Sequence, residues 1–288
     1  MTATNTKWLL PAIIACTIAI LLVARQRQEE HQRSRLAARL QQIVPLGDES
    51  ELSCREVAAA HPLVLLAIGQ SNAGNHGARG EPAGAALTLA MDGKCVRAGD
   101  PLPGGSGRGG SIWQRVPAAL REQLPGKTVV FSVLAVDASS IAEWTDRDGA
   151  LSRRLVERID SLRQLDLAPD FVLWQQGEAD ARQGTSGREY ARQLDALAAI
   201  IGQAGVRAPI LVARSTICRS EPNAEIRHAI ESKAATDLRF RLGPDMDLLA
   251  GNGFRDDGCH LSVVGLETAA RMWAASISAA SSATPPAP

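Results

Sequence analysis

Four apolar, β-branched runs, at residues 63–68, 129–135, 171–175 and 210–213, alternate with stretches whose apolar residues recur at helical spacing. No other feature constrains the fold as strongly. A strand buried on both faces reads as a continuous apolar run, whereas a half-exposed strand alternates. Such strands separated by helices build a mostly parallel, doubly wound α/β sheet. Leu151, Leu155, Ile159 and Leu162 mark one intervening helix, and Tyr190, Leu194, Leu197 and Ile201 mark another, with Ser186 and Glu189 spaced as a capping box at its start. A final helix is expected after Ser262, burying Leu266, Ala270, Trp273 and Ile277. Residues 94–97 and 245–249 are expected as short extra strands, and the Gly/Pro-rich residues 99–112 as a loop at the sheet's ligand-facing rim.

Composition supports one domain of this kind. The chain has 288 residues, 45% hydrophobic and 22% charged, enough to close a substantial core. Its 31 basic and 31 acidic residues cancel, and with 3% aromatics there is little surface for stacking bases, so nucleic acid is excluded as a partner. Ahead of the domain lies an uncharged stretch from Trp8 to Ala24, bounded by Lys7 and Arg25. It is just long enough to span a bilayer and reads as an uncleaved membrane anchor. A cleaved signal peptide is the alternative, although Leu22-Val23-Ala24 is a poor small-x-small site. The polar run that follows reads as a solvated stalk.

Membrane orientation is contested. Arg25, Arg27, Arg33, Arg35 and Arg39 would hold the C-terminal side in the cytoplasm. Outside the apolar stretch the cysteines number four, Cys54, Cys95, Cys218 and Cys259, which suits two disulfides in an oxidising compartment.

Chemistry concentrates at the ends of the expected strands. GQSNAGNHG, residues 69–77, directly follows the first apolar run and places Ser71 where an open parallel sheet binds its ligands. A serine needs a base within hydrogen-bond reach and a third group to orient that base. Asp257 and His260, three residues apart just before the last helix, can supply them, with Asp256 the neighbouring competitor for the acid. A D-x-x-H pair alone carries little weight, since polar residues commonly precede helices as caps. Glu178 with Asp180 or Glu143 could instead form a glycosidase acid/base pair, though nothing else in the chain supports that reading. Neighbouring Cys259 and His260 do not make a metal site, and the glycines after the first strand match no phosphate-binding loop. Trp113 and Trp144 read as core residues in preference to sugar platforms.

Taken together, GQSNAGNHG, WQQGEAD at residues 174–180 and DGCH at residues 257–260 resemble the SGNH hydrolases, most closely the sialate O-acetylesterase-like, carbohydrate acetylesterase branch. The resemblance spans roughly residues 60–280. It implies a three-layer α/β/α sandwich with Ser71 as nucleophile, His260 as general base and Asp257 as its partner. It also implies an oxyanion hole, assigned here to the Ser71 amide, the Ala138 amide and the Gln176 side chain. Gln70, Asn72 and Glu178 are expected to support the site or contact substrate; the roles of Asn75 and His76 stay open. In this branch the second strand-end block reads V-G-G-T-S-I-x-E-W, whereas this chain has VDASSIAEW at residues 136–144, with Asp137 and Ala138 in place of glycines.

Because Cys259 lies within D-x-x-H and Cys218 follows the strand ending near Ser215, a Cys218–Cys259 bridge would pin that loop to the sheet, leaving Cys54 with Cys95. The expected organisation is a membrane anchor or signal segment at 1–25, a polar stalk and lead-in at 26–59, the esterase domain at 60–280 and a disordered tail at 281–288. The expected activity is removal of O-acetyl groups from a carbohydrate through an acyl-enzyme, with no metal or organic cofactor. Alternatives are a lipase, thioesterase or acyltransferase using the same three residues, or an anchored carbohydrate-binding protein with weak catalysis.

Overall fold

The computed structural model describes residues 9–80 and 87–283, and the chain divides between Gln41 and Gln42 into two compact units. The first contributes a single helix, α1 (Leu9–Leu40). The expected stalk is thus helical as far as Leu40, as suits a run rich in Arg, Gln, Glu, Leu and Ala with neither Gly nor Pro. Trp8, where the expected membrane segment begins, lies outside the described residues. Among those described, no helix is long and apolar enough to cross a membrane.

The second unit is built on an eight-stranded sheet. Its strands are β1 (Ser50–Leu52), β2 (Leu63–Gly69), β3 (Leu87–Met91), β4 (Lys94–Ala98), β5 (Val129–Ala135), β6 (Phe171–Gln175), β7 (Ile210–Arg214) and β8 (Phe240–Asp245), in the spatial order β1-β4-β3-β5-β2-β6-β7-β8. From β3 to β8 along that order, neighbours other than β4 run parallel; β4 is antiparallel to both β1 and β3. The four expected strands are β2, β5, β6 and β7, the buried centre of the sheet. The strand expected at 245–249 is displaced: β8 ends at Asp245 and a 3-10 turn, Met246–Leu248, follows.

Helices are α2 (Cys54–Ala59), α3 (Val116–Gln123), α4 (Ile141–Thr145), α5 (Ala150–Gln164), α6 (Glu178–Gln183), α7 (Gly187–Gln203), α8 (Ala224–Thr236) and α9 (Val263–Ala283). One face of the sheet, including Leu65, Ala67, Phe131 and Val133, packs on Trp113 and Leu120 at α3 and on Leu266, Ala270, Trp273 and Ile277 of α9. Helices α4, α5, α7 and α8 contact one another and layer against the strands, completing the α/β/α sandwich. The predicted apolar faces of α5 and α7 are buried throughout. At the start of α7 only half of the expected capping box forms: Ser186 Oγ accepts from the Glu189 amide, while the Glu189 carboxylate turns to Arg192. The complete box is at α4, between Ser140 and Glu143.

Both expected disulfides, Cys54–Cys95 and Cys218–Cys259, are formed. The first ties α2 to β4, so the folded unit begins well before residue 60. At the other end α9 continues to Ala283, into the expected tail, whose residues 284–288 lie outside the described ones.

Candidate active site

Three neighbouring strands end side by side. Strand β2 lies between β5 and β6, with Gly69 opposite Ala135 on one side and Gln175 on the other. After β2 the chain builds β3, β4 and β5 on one side and then crosses to β6 on the other, and such a switch point is where an open α/β sheet forms its ligand crevice. The backbone turns there on glycine. Gly69 has φ of 148°, and a Cβ on it would lie 2.0 Å from the Gln175 carbonyl oxygen. Gly177 does the same at the end of β6, where a Cβ would lie 2.5 Å from the Ser215 carbonyl oxygen. Ser71 opens the 3-10 turn Ser71–Ala73 immediately beyond β2 and is 2% exposed. Its turn is braced by Trp113, whose Nε1 donates to Ala73 O at 2.7 Å.

Asp257 and His260 meet as expected. The Asp257 Oδ2 lies 2.9 Å from His260 Nδ1, while Oδ1 accepts from the amides of His260 at 2.7 Å and Cys259 at 2.9 Å. Partial burial pushes the Asp257 carboxyl up, but the two amides and the imidazole together outweigh it and hold it well below the usual carboxylate range. With Nδ1 facing a carboxylate, the Nε2 lone pair of His260 is left to act as base. Arg219 closes the other side, donating Nε to Asp257 O at 3.1 Å and Nη2 to Asp257 Oδ2 at 3.1 Å. Asp256, the competing acid, bonds His260 only through its own backbone amide, to the carbonyl.

Two contacts set this loop beside the Ser71 turn. Asn72 Nδ2 donates to Cys259 O at 3.2 Å, and the ring of His76 stacks on that of His260 with centroids 5.3 Å apart. Among the described residues no hydrogen bond joins Ser71 Oγ to His260; such bonds often tighten only when substrate is bound.

Behind Ser71 lies a buried polar network. Glu178 Oε1 accepts from Asn72 Nδ2 at 2.7 Å and from Ser215 Oγ at 2.8 Å, and Gln175 Nε2 donates to the same serine at 2.7 Å. Glu178 Oε2 and Asn72 Oδ1 are buried without a hydrogen-bond partner. Complete burial raises the Glu178 carboxyl above its ordinary value, and hydrogen bonds from Asn72 and Ser215 and the charge of Arg255 offset this only in part. Asn72 and Glu178 therefore have supporting positions. So does Gln70, whose Oε1 accepts from the Ala179 amide at 3.0 Å.

Gln176 corrects the sequence expectation. Expected in the oxyanion hole, its side chain is instead fully buried and its Nε2 donates to Asp180 Oδ2 at 2.6 Å and Ser139 O at 3.0 Å, with Gln70 Oε1 at 3.3 Å. An amide nitrogen has two N–H groups, and both are committed to the scaffold. Asp180 is likewise spent, accepting also from the Ile141 amide and from Thr185 Oγ1. The complete burial of Glu178 and the saturation of Asp180 leave neither placed as half of a glycosidase pair.

At the end of β5, Asp137 and Ala138 differ in what they offer. The Asp137 amide donates to Ser106 Oγ at 2.8 Å, whereas the Ala138 amide has no partner among the described residues and Ala138 itself is left-handed, with φ of 50°. Ser106 comes from the loop 99–112, confirming that loop's place at the rim; its hydroxyl also lies 3.1 Å from His76 Nε2. Asn75 fastens the loop, donating to Leu102 O and Gly105 O and accepting from the Leu102 amide. Burial lowers the His76 pKa; nearby Asp137 opposes this and His260 adds to it. His76, Asp137 and His260 also form one set of side chains able to ligate a metal, their ligand atoms all within 4.8 Å of one another. Trp113 and Trp144 are both fully buried core residues.

Sequence reasoning missed Arg255. It is 1% exposed, and its guanidinium donates to Leu249 O at 2.7 Å, Met246 O at 3.0 Å and Cys259 O, so it shapes the loop that carries His260. The signal was an arginine five residues before the candidate base His260, but its acceptors are backbone carbonyls, which leave no mark in sequence.

No curated protein sequence matches the chain. Among solved structures, a protein from Arabidopsis thaliana matches with a TM-score of 0.60 at 16% identity, covering 76% of this chain and 98% of that one. An acetylxylan esterase from Geobacillus stearothermophilus matches with a TM-score of 0.48 at 16% identity, covering 74% of this chain and 93% of that one. The family model for carbohydrate esterases described as sialic acid-specific acetylesterase matches residues 62–278. That match takes in the Ser71 turn, the Glu178 network and the Asp257–His260 loop, and the chain belongs to this carbohydrate esterase family.

Proposed function

We propose that the protein removes O-acetyl groups from a carbohydrate through an acetyl-enzyme on Ser71. The observation that carries the reading is Asp257, ionised and bonded to His260 Nδ1, on a loop anchored to the Ser71 turn through Asn72. Ser71 Oγ attacks the acetyl carbonyl while His260 Nε2 takes its proton. The same nitrogen returns that proton to the departing sugar oxygen, and a water then repeats the sequence to release acetate. The developing oxyanion is met by the amides of Ser71 and Ala138, neither of which has a partner within the described residues. Each such donor is worth about 3–4 kcal/mol in the transition state.

Acetate release from acetylated sugars, measured for the natural chain and Ser71→Ala, tests the reading. Loss of turnover by at least ~10⁴-fold is expected, together with an acetyl group on the Ser71 peptide after rapid quench of the natural enzyme. Equal, negligible turnover by both proteins with retained sugar binding would instead identify a binding protein. We further propose that the apolar start of α1 anchors the chain to a membrane with the esterase unit outside the cytoplasm, a reading supported by the exposed Ile20, Leu21, Leu22 and Val23 and by the two disulfides.

A further inference from the structure

We propose that His76, Asp137 and His260 form a reversible binding site for a divalent transition metal, zinc above all, whose occupancy switches the esterase off. The mechanism proposed above uses only His260 of the three. His76 and Asp137 come from two different strand-end loops, yet a carboxylate oxygen and a ring nitrogen of each histidine lie within 4.8 Å of one another. Tetrahedral zinc with bonds near 2.0–2.1 Å brings its ligand atoms to about 3.3 Å, so side-chain rotations of an ångström or so close the set. All three residues are partly exposed, which gives an ion from solvent a route in.

The surroundings favour a metal of this class. Two imidazoles and one carboxylate match the ligand sets of sites that keep a fourth position open, and imidazole selects zinc, copper or nickel over magnesium or calcium. His260 is already oriented as metal-bound histidines usually are, with its other nitrogen on a carboxylate, Asp257, at 2.9 Å. His76 is held in its plane by Ser106 Oγ at 3.1 Å and by stacking on His260.

Function follows from the lone pair. A metal on His260 Nε2 occupies the electron pair that would take the Ser71 proton, so the bound form cannot activate its nucleophile. No bond is made or broken in the protein, and removing the ion restores the base.

The test uses the full chain, freed of metal by chelator and dialysis. Zinc titration calorimetry is run on the natural protein, His76→Gln, Asp137→Asn and His260→Ala, with visible absorption of added Co²⁺ reporting coordination. Acetate release is then followed for the natural protein, His76→Gln and Asp137→Asn with zinc added and with chelator restored, each scaled to its own zinc-free rate. Expected are one zinc per chain, a tetrahedral Co²⁺ spectrum, affinity reduced roughly tenfold or more in each variant, and inhibition that chelator reverses and that Asp137→Asn shifts to higher zinc. Binding unchanged across the three variants, no stoichiometric binding, or activation by zinc would each overturn the proposal. Because calorimetry and the Co²⁺ spectrum need no turnover, an inactive protein that still binds zinc through these residues would count against the esterase reading and not against the site.

Discussion

Ala138 holds a backbone conformation that an L side chain rarely adopts, with φ of 50°, at one of the two amides proposed to meet the oxyanion. A left-handed alanine costs about 1 kcal/mol relative to glycine, less what glycine loses in the unfolded chain. Ala138→Gly should therefore raise stability by a few tenths to about 1 kcal/mol in denaturant unfolding, while keeping the amide in place; lower stability would mean that the Cβ makes contacts worth more than the strain. Glu178 makes the second residue-scale prediction. Its carboxyl is raised by burial, so the folded chain holds that proton more tightly than the unfolded one. The resulting stability is fully present below the unfolded value of about 4.3 and is lost as pH rises through the higher folded value. Glu178→Gln cannot titrate, so its stability relative to the natural chain should climb from acidic to neutral pH. A difference that stays flat across that range would show the carboxyl ionising normally in the fold. The placement of Ser71 in a turn beyond β2 and the pairing of Asp257 with His260 were readable because each depends on local spacing: a turn after an apolar run, and two side chains three residues apart. Gln176 was misread because its partners come from three other places, Gln70, Ser139 and Asp180, which only the folded chain assembles.

Among elements, the central strands and β4, expected at residues 94–97, were legible, whereas β1, β3 and the true bounds of β8 were not. β2, β5, β6 and β7 are apolar throughout because both faces are covered. β3 is short and mixed, and the antiparallel hairpin it forms with β4 extends a sheet that the apolar runs describe only as parallel. β8 includes Gly243 and Pro244, residues that read as a turn, but a proline lacking its N–H is tolerated at the sheet edge where β8 lies. The disulfides separate stability from catalysis at this scale. Each closes the same sequence separation, 41 residues, so by chain entropy each should contribute on the order of 3–4 kcal/mol. Only Cys218–Cys259 holds the loop bearing His260. Replacing both of its cysteines by serine should lower kcat roughly tenfold to a hundredfold through misplacement of the base, whereas the Cys54/Cys95 double serine variant should lose comparable stability with kcat intact. Equal kinetic losses in the two variants would show that the bridge does not position the loop.

For the whole molecule, the open matter is how an esterase unit is delivered to its substrate. The unit from Gln42 onward carries the complete set of site residues, and α1 precedes it as a separate compact unit. On α1 the side chains of Ile20, Leu21, Leu22 and Val23 are exposed, in a helix that turns strongly polar from Arg25 onward. Exposed apolar residues ending in an arginine-rich run suit a helix whose first half lies in lipid and whose second half reaches into water. The arginines argue for a cytoplasmic C-terminal side and the two disulfides for an oxidising compartment, and the anchor proposed above follows the disulfides. A charge placed at the centre of an inserted helix costs about 2.5–3.5 kcal/mol per residue. Ile14→Arg with Ile18→Arg, near the middle of the stretch from Trp8 to Ala24, should accordingly move the full-length chain from the carbonate-washed membrane fraction to the soluble one. Its kcat/KM on a small soluble acetyl ester should stay within about twofold of the natural chain, since surface substitutions remote from a site rarely disturb it. A doubly substituted chain that remains in the membrane pellet would remove α1 as the anchor and leave its exposed apolar residues to be explained by contact with another protein.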